Sequence, residues 1–297
     1  MPLSIRPLHQ GFAAQVTEVD LRTVSTGPVR DRIVDLLDRY AVVVFPGQSL
    51  YDDDQVAFAR ALGGRLHYGQ GSKVVETKPR FADQAISDIS NLADDGSLLE
   101  RADPKRMYAL ANRLWHTDAS FQDPPGRYSM LSAKVVPTLG GQTEFADTRA
   151  AYEELPAATR RELAGLSAHH SVAHSRATLG FLFTEEQRAQ FPGADHPIVR
   201  KLPSGRTSLY IGAHASHVLD VPVPEGRVLL HDLAWHATQS RFVYSHDWRA
   251  GDVVIWDNRA TMHRGRPYDE LHELRDLRRV TTLDVDDEAD VATEAVA

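Results

Sequence analysis

Beyond Arg127 the chain is written as short extended runs, at about 127–136, 198–202, 207–212, 252–257 and 278–285, each bounded by Gly, Pro or Asp. Runs of this length and punctuation read as strands, and a single amphipathic stretch, about 225–239, interrupts them as a helix. Strands with apolar faces must bury them against another layer, and closing on themselves is the simplest way. The pattern therefore predicts a mainly β fold whose strands close on themselves as one sandwich, with helices outside. The first half supplies those helices. Val29, Ile33, Leu36 and Leu37 recur at helical spacing over 27–39, with Pro28 near the start. A buried strand, Ala41-Val42-Val43-Val44-Phe45, follows and ends at Pro46-Gly47, and a second helix runs from about Asp52 to Leu62, before Gly63-Gly64. The segment through Val16 reads as extended, and residues 64–105 as mostly irregular. With no internal repeat and no Gly/Ser linker, a single domain over residues 1–284 is expected, followed by a disordered acidic tail over 285–297.

Composition narrows the chemistry. None of the 297 residues is cysteine, so disulfides, thiolate metal sites, iron–sulfur clusters and a cysteine nucleophile are excluded, and any metal must be held by nitrogen and oxygen. The net charge of −8 is concentrated in residues 284–297, which carry six acidic residues and no Lys or Arg. The remaining 33 basic and 35 acidic residues are nearly balanced, and such a body offers no basic surface for nucleic acid. The longest uninterrupted apolar run, Ala41 to Phe45, is far short of the roughly 20 residues of a membrane helix. Residues 1–15 lack a signal-peptide apolar region, so a cytoplasmic protein without membrane or nucleic-acid partners is expected.

Three groups of residues carry the chemistry. His116 and Asp118 stand two apart, which on an extended segment turns an imidazole and a carboxylate to the same side. His263 follows the strand Asp252 to Asn258 after one tight turn, so the sheet would hold its backbone and aim its ring. Two histidines and a carboxylate on one face leave three positions of an ion open, the arrangement suited to non-haem Fe(II) that must also bind a cosubstrate and oxygen. A histidine satisfied within the core is the competing reading of His263. Finally, Arg275 and Arg279 are four apart and share a face in helix or strand. Paired guanidiniums suit a dicarboxylate or two carboxylates, although surface ion pairing with Asp269, Glu270, Glu273 and Asp276 would use the same residues differently.

Leu114-Trp115-His116-Thr117-Asp118, Gly140 through Asp147, Trp256-Asp257-Asn258 leading to His263-Arg264-Gly265, and Arg275 through Leu283 together resemble the taurine and phenoxyacetate-herbicide branch of the Fe(II)/2-oxoglutarate dioxygenases. The likeness covers nearly the whole chain. The stretches 119–122, 127–132 and 210–217 look more like the 2,4-dichlorophenoxyacetate-degrading members than the taurine enzymes. The resemblance implies a double-stranded β-helix, the cupin-like jelly roll. It implies that His116, Asp118 and His263 bind Fe(II), that Thr143 and Arg275 meet the far carboxylate of 2-oxoglutarate, and that Arg279 lies beside its C1 carboxylate. It further implies that O2 and 2-oxoglutarate are consumed to give succinate and CO2, while the carbon next to the ether oxygen of an aryloxyalkanoate is hydroxylated. The resulting hemiacetal collapses to a phenol and an oxo acid.

Lys73, Asn112, Arg279 and His214 are the candidates for holding this small anionic substrate. A solvated lysine is the commoner role for Lys73, and a hydrogen-bonded structural histidine for His214. His169, His170 and His174 lack a carboxylate at ligand spacing and are assigned no role. The same chemistry on an alkylsulfonate, an aromatic acid or a cinnamate-type acid is the nearest alternative. A metal-dependent hydrolase is a more distant one, because it has no need of a dicarboxylate clamp. Family precedent implies a homo-oligomer.

Overall fold

A computed structural model of the chain describes residues 3–68 and 80–285. Lys73 and the acidic tail from residue 286 lie outside the described residues. The predicted helices form at Pro28–Tyr40 (α1) and Asp52–Leu62 (α2), and the later amphipathic one at Val223–Ala237. The strands near the N-terminus are Ser4–His9 (β1), Phe12–Thr17 (β2), Val42–Phe45 (β3) and Ser87–Ser90 (β4). The C-terminal part contributes Gly126–Val135 (β5), Thr143–Asp147 (β6), Val243–His246 (β12), Val253–Asp257 (β13), Thr261–Gly265 (β14) and Asp276–Leu283 (β15). Between β6 and β12 lie Ser167–His170 (β7), Ala194–Pro197 (β8), Val199–Lys201 (β9), Thr207–Leu209 (β10) and Ala215–Val218 (β11).

The large sheet is seven-stranded, in the order β1-β2-β3-β13-β5-β15-β4. Three smaller sheets are β12-β6-β14, β11-β7-β8 and the pair β10-β9. Strand alternation explains the layers. Val43, Phe45, Met130, Val253, Ile255 and Val280 face one way and pack with Ile33, Leu36 and Leu37 of α1 and Val56, Phe58 and Leu62 of α2. The intervening Val42, Val44, Leu131, Val254, Trp256 and Leu277 face the other way, onto Phe145 of β6. The far side of the small sheet, through Ala146 and Met262, packs on Leu230, Leu233 and Ala237 of the helix Val223–Ala237. The architecture is thus helix, large sheet, small sheet, helix, a jelly-roll arrangement.

Two expectations are revised. The sheets do not close on one another, because the hydrogen-bonded ladder ends at β1 and β4 on the large sheet and only single bridges, such as His116 with His263, extend the small one. Several helices were not foreseen in the second half, at Thr148–Glu153, Ala157–Leu163, Val172–Ala177 and Glu185–Gln190. They span only six or seven residues, too few for a helical repeat to stand out in the sequence.

Candidate active site

The inner faces of the two main sheets meet where His116, Asp118 and His263 converge. His263 lies on β14 after the turn from β13, and His116 is bonded to it directly, His116 N–H donating to His263 O (3.0 Å) and His263 N–H to His116 O (2.8 Å). The segment is extended as far as Thr117 and turns at Asp118, which brings the carboxylate back between the rings. Nε2 of His116 is 3.8 Å from Asp118 Oδ1, Nε2 of His263 is 3.7 Å from Asp118 Oδ2, and donor atoms of the three residues lie within 4.8 Å of one another. Among the described residues no other group of histidines and carboxylates is gathered in this way.

Their protonation suits a cation. Burial pushes His116 below its ordinary value against the opposing pull of Asp118, and burial together with His116 holds His263 well below it, so both rings are neutral at pH 7. Burial acts to raise Asp118, but Arg279, then His263 and His116, and the Ser129 hydroxyl overcome it and hold the carboxyl well below the usual range. His116 Nδ1 stands 2.7 Å from Leu114 O. A carbonyl only accepts, so that nitrogen carries the proton and Nε2 keeps its lone pair. His263 is wedged against Trp256 and Phe145, with ring centroids 4.7 and 6.1 Å away.

The carboxylate is braced by residues to which sequence reasoning gave no role. Ser129 Oγ donates to Asp118 Oδ2 (2.8 Å) and accepts from Asn258 Nδ2 (2.9 Å). Asn258 Oδ1 in turn accepts from Asp118 N–H (3.2 Å) and Trp256 Nε1 (3.0 Å). The signal available in the sequence was Ser129 on the same strand face as the apolar Leu131 and Ala133.

One cavity connects His116 and His263 with Thr143, Arg275, Arg279 and Asn112. Arg275 precedes β15 and Arg279 lies on it, both on the inward face expected from their spacing. The surface ion pairs considered for Arg275 do not form: Glu270 pairs with Arg106 and Arg113, Glu273 with Thr138, and Asp276 with Arg80. Arg275 is 9% exposed, its Nε has no hydrogen-bond partner, and its Nη2 reaches Gly141 O only at 3.4 Å. Burial lowers its affinity for the proton, although guanidinium remains charged at any ordinary pH. Asn91, also missed in the sequence, fixes this arginine by accepting from Arg275 N–H at 2.8 Å. Thr143 Oγ1 accepts from Trp248 Nε1 (3.0 Å), which leaves the hydroxyl proton to be donated. A buried cation with unspent donors beside a free hydroxyl fits an anionic carboxylate. Arg279 differs, since its Nη1 is 2.5 Å from Asp118 Oδ1.

His214 is buried with its edge toward the His116 ring, centroids 6.0 Å apart, and its Nδ1 has no partner. The hydrogen-bonded structural histidine is therefore not what forms at this ring nitrogen. Asn112 lines the Arg275 cavity, whereas His214 does not.

Residues 4–281 match the model of the taurine catabolism dioxygenase TauD, TfdA family. The chain belongs to that family. It is 48% identical over 286 residues to an alpha-ketoglutarate-dependent 2,4-dichlorophenoxyacetate dioxygenase of Cupriavidus pinatubonensis, covering 96% of this chain and 99% of that one. It is 34% identical to an (S)-phenoxypropionate/alpha-ketoglutarate-dioxygenase of Delftia acidovorans, with 90% of each chain covered. The crystal structure of AAD-2 in complex with Mn(II) and N-oxalylglycine superimposes with a TM-score of 0.92 at 42% identity, over 97% of this chain and 99% of that one.

Proposed function

We propose that this family member is an Fe(II)- and 2-oxoglutarate-dependent dioxygenase that hydroxylates an aryloxyalkanoate next to its ether oxygen. The observation that carries the reading is Arg275, a buried guanidinium without a carboxylate partner among the described residues, in the same cavity as the two histidine ligand candidates. In this reading His116, Asp118 and His263 hold Fe(II), Arg275 and Thr143 take the far carboxylate of 2-oxoglutarate, and Arg279 leaves Asp118 to meet the near one. The bound iron supplies the oxidising chemistry that consumes O2 and 2-oxoglutarate. One oxygen atom ends in succinate, released with CO2, and the other in the hydroxylated substrate, whose hemiacetal opens to a phenol and an oxo acid. The chain's own work is to orient the two anions and exclude water, through the fixed rings of His116 and His263 and the aromatic wall of Trp256 and Phe145.

The phenoxy substrates named for the relatives favour the aryloxyalkanoate over an alkylsulfonate or a cinnamate-type acid, and the clamp speaks against a hydrolase. Asn112 and His214 are placed near the substrate in this reading. A homo-oligomer working in the cytoplasm is part of the proposal; no helix among the described residues is long and apolar enough to cross a membrane. The test is anaerobic addition of Fe(II) and 2-oxoglutarate, which should produce a visible absorption band requiring both. Oxygen with aryloxyacetates, aryloxypropionates, cinnamates and taurine should then release succinate fastest with an aryloxy acid. No band and no succinate would return the hydrolase to consideration.

A further inference from the structure

His116 borders a second group of side chains, none of which lines the Arg275 cavity. His214 lies edge-on to His116 and also to Phe121, 5.1 Å between centroids. Phe121 packs onto the cluster of Phe183 and Phe191, as do Tyr108 and Phe181. Into this aromatic surface the helix Val172–Ala177 introduces a cation. The Arg176 guanidinium sits 4.3 Å from the centre of the Tyr108 ring. Its Nη1 donates to Ser175 Oγ (3.3 Å) and the Tyr108 side chain also favours its charged form, while its Nε is buried without a hydrogen-bond partner and among the described residues no carboxylate pairs with it. The positive charge reaches both His214 and His116, whose protonation it opposes. Burial acts on Arg176 itself, pushing it below the ordinary arginine value.

A guanidinium set among rings with a bare Nε and no counter-ion is poorly compensated until an anion arrives. The carboxylate beside the site cannot serve, because Asp118 pairs with Arg279 here and is assigned to the metal once the site is loaded. Nor is Arg176 needed for the cosubstrate, whose far carboxylate is assigned above to Arg275 in the cavity it lines. An aryloxyalkanoate combines one flat apolar ring with one carboxylate. The group around Arg176 offers one aromatic wall and one unspent cation, next to an iron-ligand candidate.

We propose that Arg176 binds the substrate carboxylate by its guanidinium fork, with Phe121, Tyr108 and His214 against the aryl ring. Arg176 is then a specificity determinant for aryloxy acids, and the inference rests on the aryloxyalkanoate reading above. The cation–π contact with Tyr108 restrains the guanidinium, so that less freedom is lost when the carboxylate docks.

Titration calorimetry on protein loaded with Mn(II) and N-oxalylglycine tests this without turnover. Phenoxyacetate and its neutral isostere phenoxyacetamide are titrated into wild type, Arg176→Met and Arg176→Lys. The acid should weaken by roughly tenfold to a hundredfold in Arg176→Met, while the amide changes by no more than about twofold. Arg176→Lys keeps the charge without the fork and should fall between the two. Unchanged acid binding, or equal loss of acid and amide, overturns the assignment, the second outcome marking Arg176 as a packing residue. Binding of N-oxalylglycine to each variant reports whether the fold survives; if Arg176→Met loses it, Arg176→Lys carries the comparison and an unaltered acid-to-amide ratio there is fatal. Wild-type protein that binds N-oxalylglycine but neither phenoxy compound would instead overturn the aryloxyalkanoate reading, and this inference with it.

Discussion

Asp118 can present one oxygen to a cation in a fixed direction only if the other is held, and Ser129 Oγ holds it at 2.8 Å. The same hydroxyl is the acceptor for Asn258 Nδ2, whose residue orients both the Asp118 backbone and Trp256. Ser129→Ala therefore removes a donor to the carboxylate and strands a buried amide. We expect Mn(II) affinity to fall by roughly tenfold to a hundredfold, as for other residues that orient metal ligands, with stability lower by about 1–3 kcal/mol for the unpaired amide. Competition titration with a chelating dye and a thermal melt read the two effects separately. An unaltered Mn(II) affinity would mean that Arg279 and the backbone alone orient Asp118.

At the scale of elements, the Arg275 cavity depends on a turn as much as on a strand. Gly140 and Gly141 both adopt positive φ, +80° and +71°, and lead into β6 and Thr143. A Cβ at Gly140 would stand 2.5 Å from Pro267 O, a backbone atom that cannot step aside. Gly140→Ala should therefore push the turn off the Pro267–Tyr268 segment that follows β14, lowering both the melting temperature and the affinity for 2-oxoglutarate. Gly11→Ala is the control, since it shares a positive φ of +69° but has open space around it. It should cost only the conformational strain of about 1 kcal/mol and leave 2-oxoglutarate binding as it was. Equal 2-oxoglutarate binding in both variants would show that the turn does not set the clamp.

Across the whole molecule, burial of histidine gives the fold an acid limit. His170, stacked on Tyr210 and edge-on to His196, is lowered to about 3 by burial, with the neighbouring His196 and His169 acting in the same direction. Burial also lowers His196 and His214. For each, the unfolded chain binds a proton at a higher pH than the folded one. The contribution to stability is whole above the unfolded value near 6.5 and is lost as pH falls below it, through the window between 6.5 and the folded value. Scanning calorimetry should thus show a melting temperature several degrees lower at about pH 5 than at about pH 7.5, with a smaller drop in His170→Asn. A melting temperature flat across that range would refute the assignment of neutral buried rings.

Much of the site could be read from the chain itself, for reasons of spacing. A spacing of two brings His116 and Asp118 to one site, a tight turn after Val253–Asp257 carries the chain onto β14 of the facing sheet and so to His263, and a spacing of four puts Arg275, just before β15, and Arg279 in one cavity. These are properties of local periodicity, which the sequence by itself determines, as it does the helices Pro28–Tyr40 and Asp52–Leu62 with their apolar faces. What only the tertiary structure decided is which polar groups find partners. Glu270 and Glu273 are close to Arg275 in sequence yet engage other residues, and that leaves the arginine bare. Ser129, Asn258 and Asn91 acquire their roles from strands far apart in the chain, and Arg176 meets Tyr108 across 68 positions through a six-residue helix. Periodicity is a near-neighbour property, whereas the satisfaction of a buried charge depends on every element packed around it.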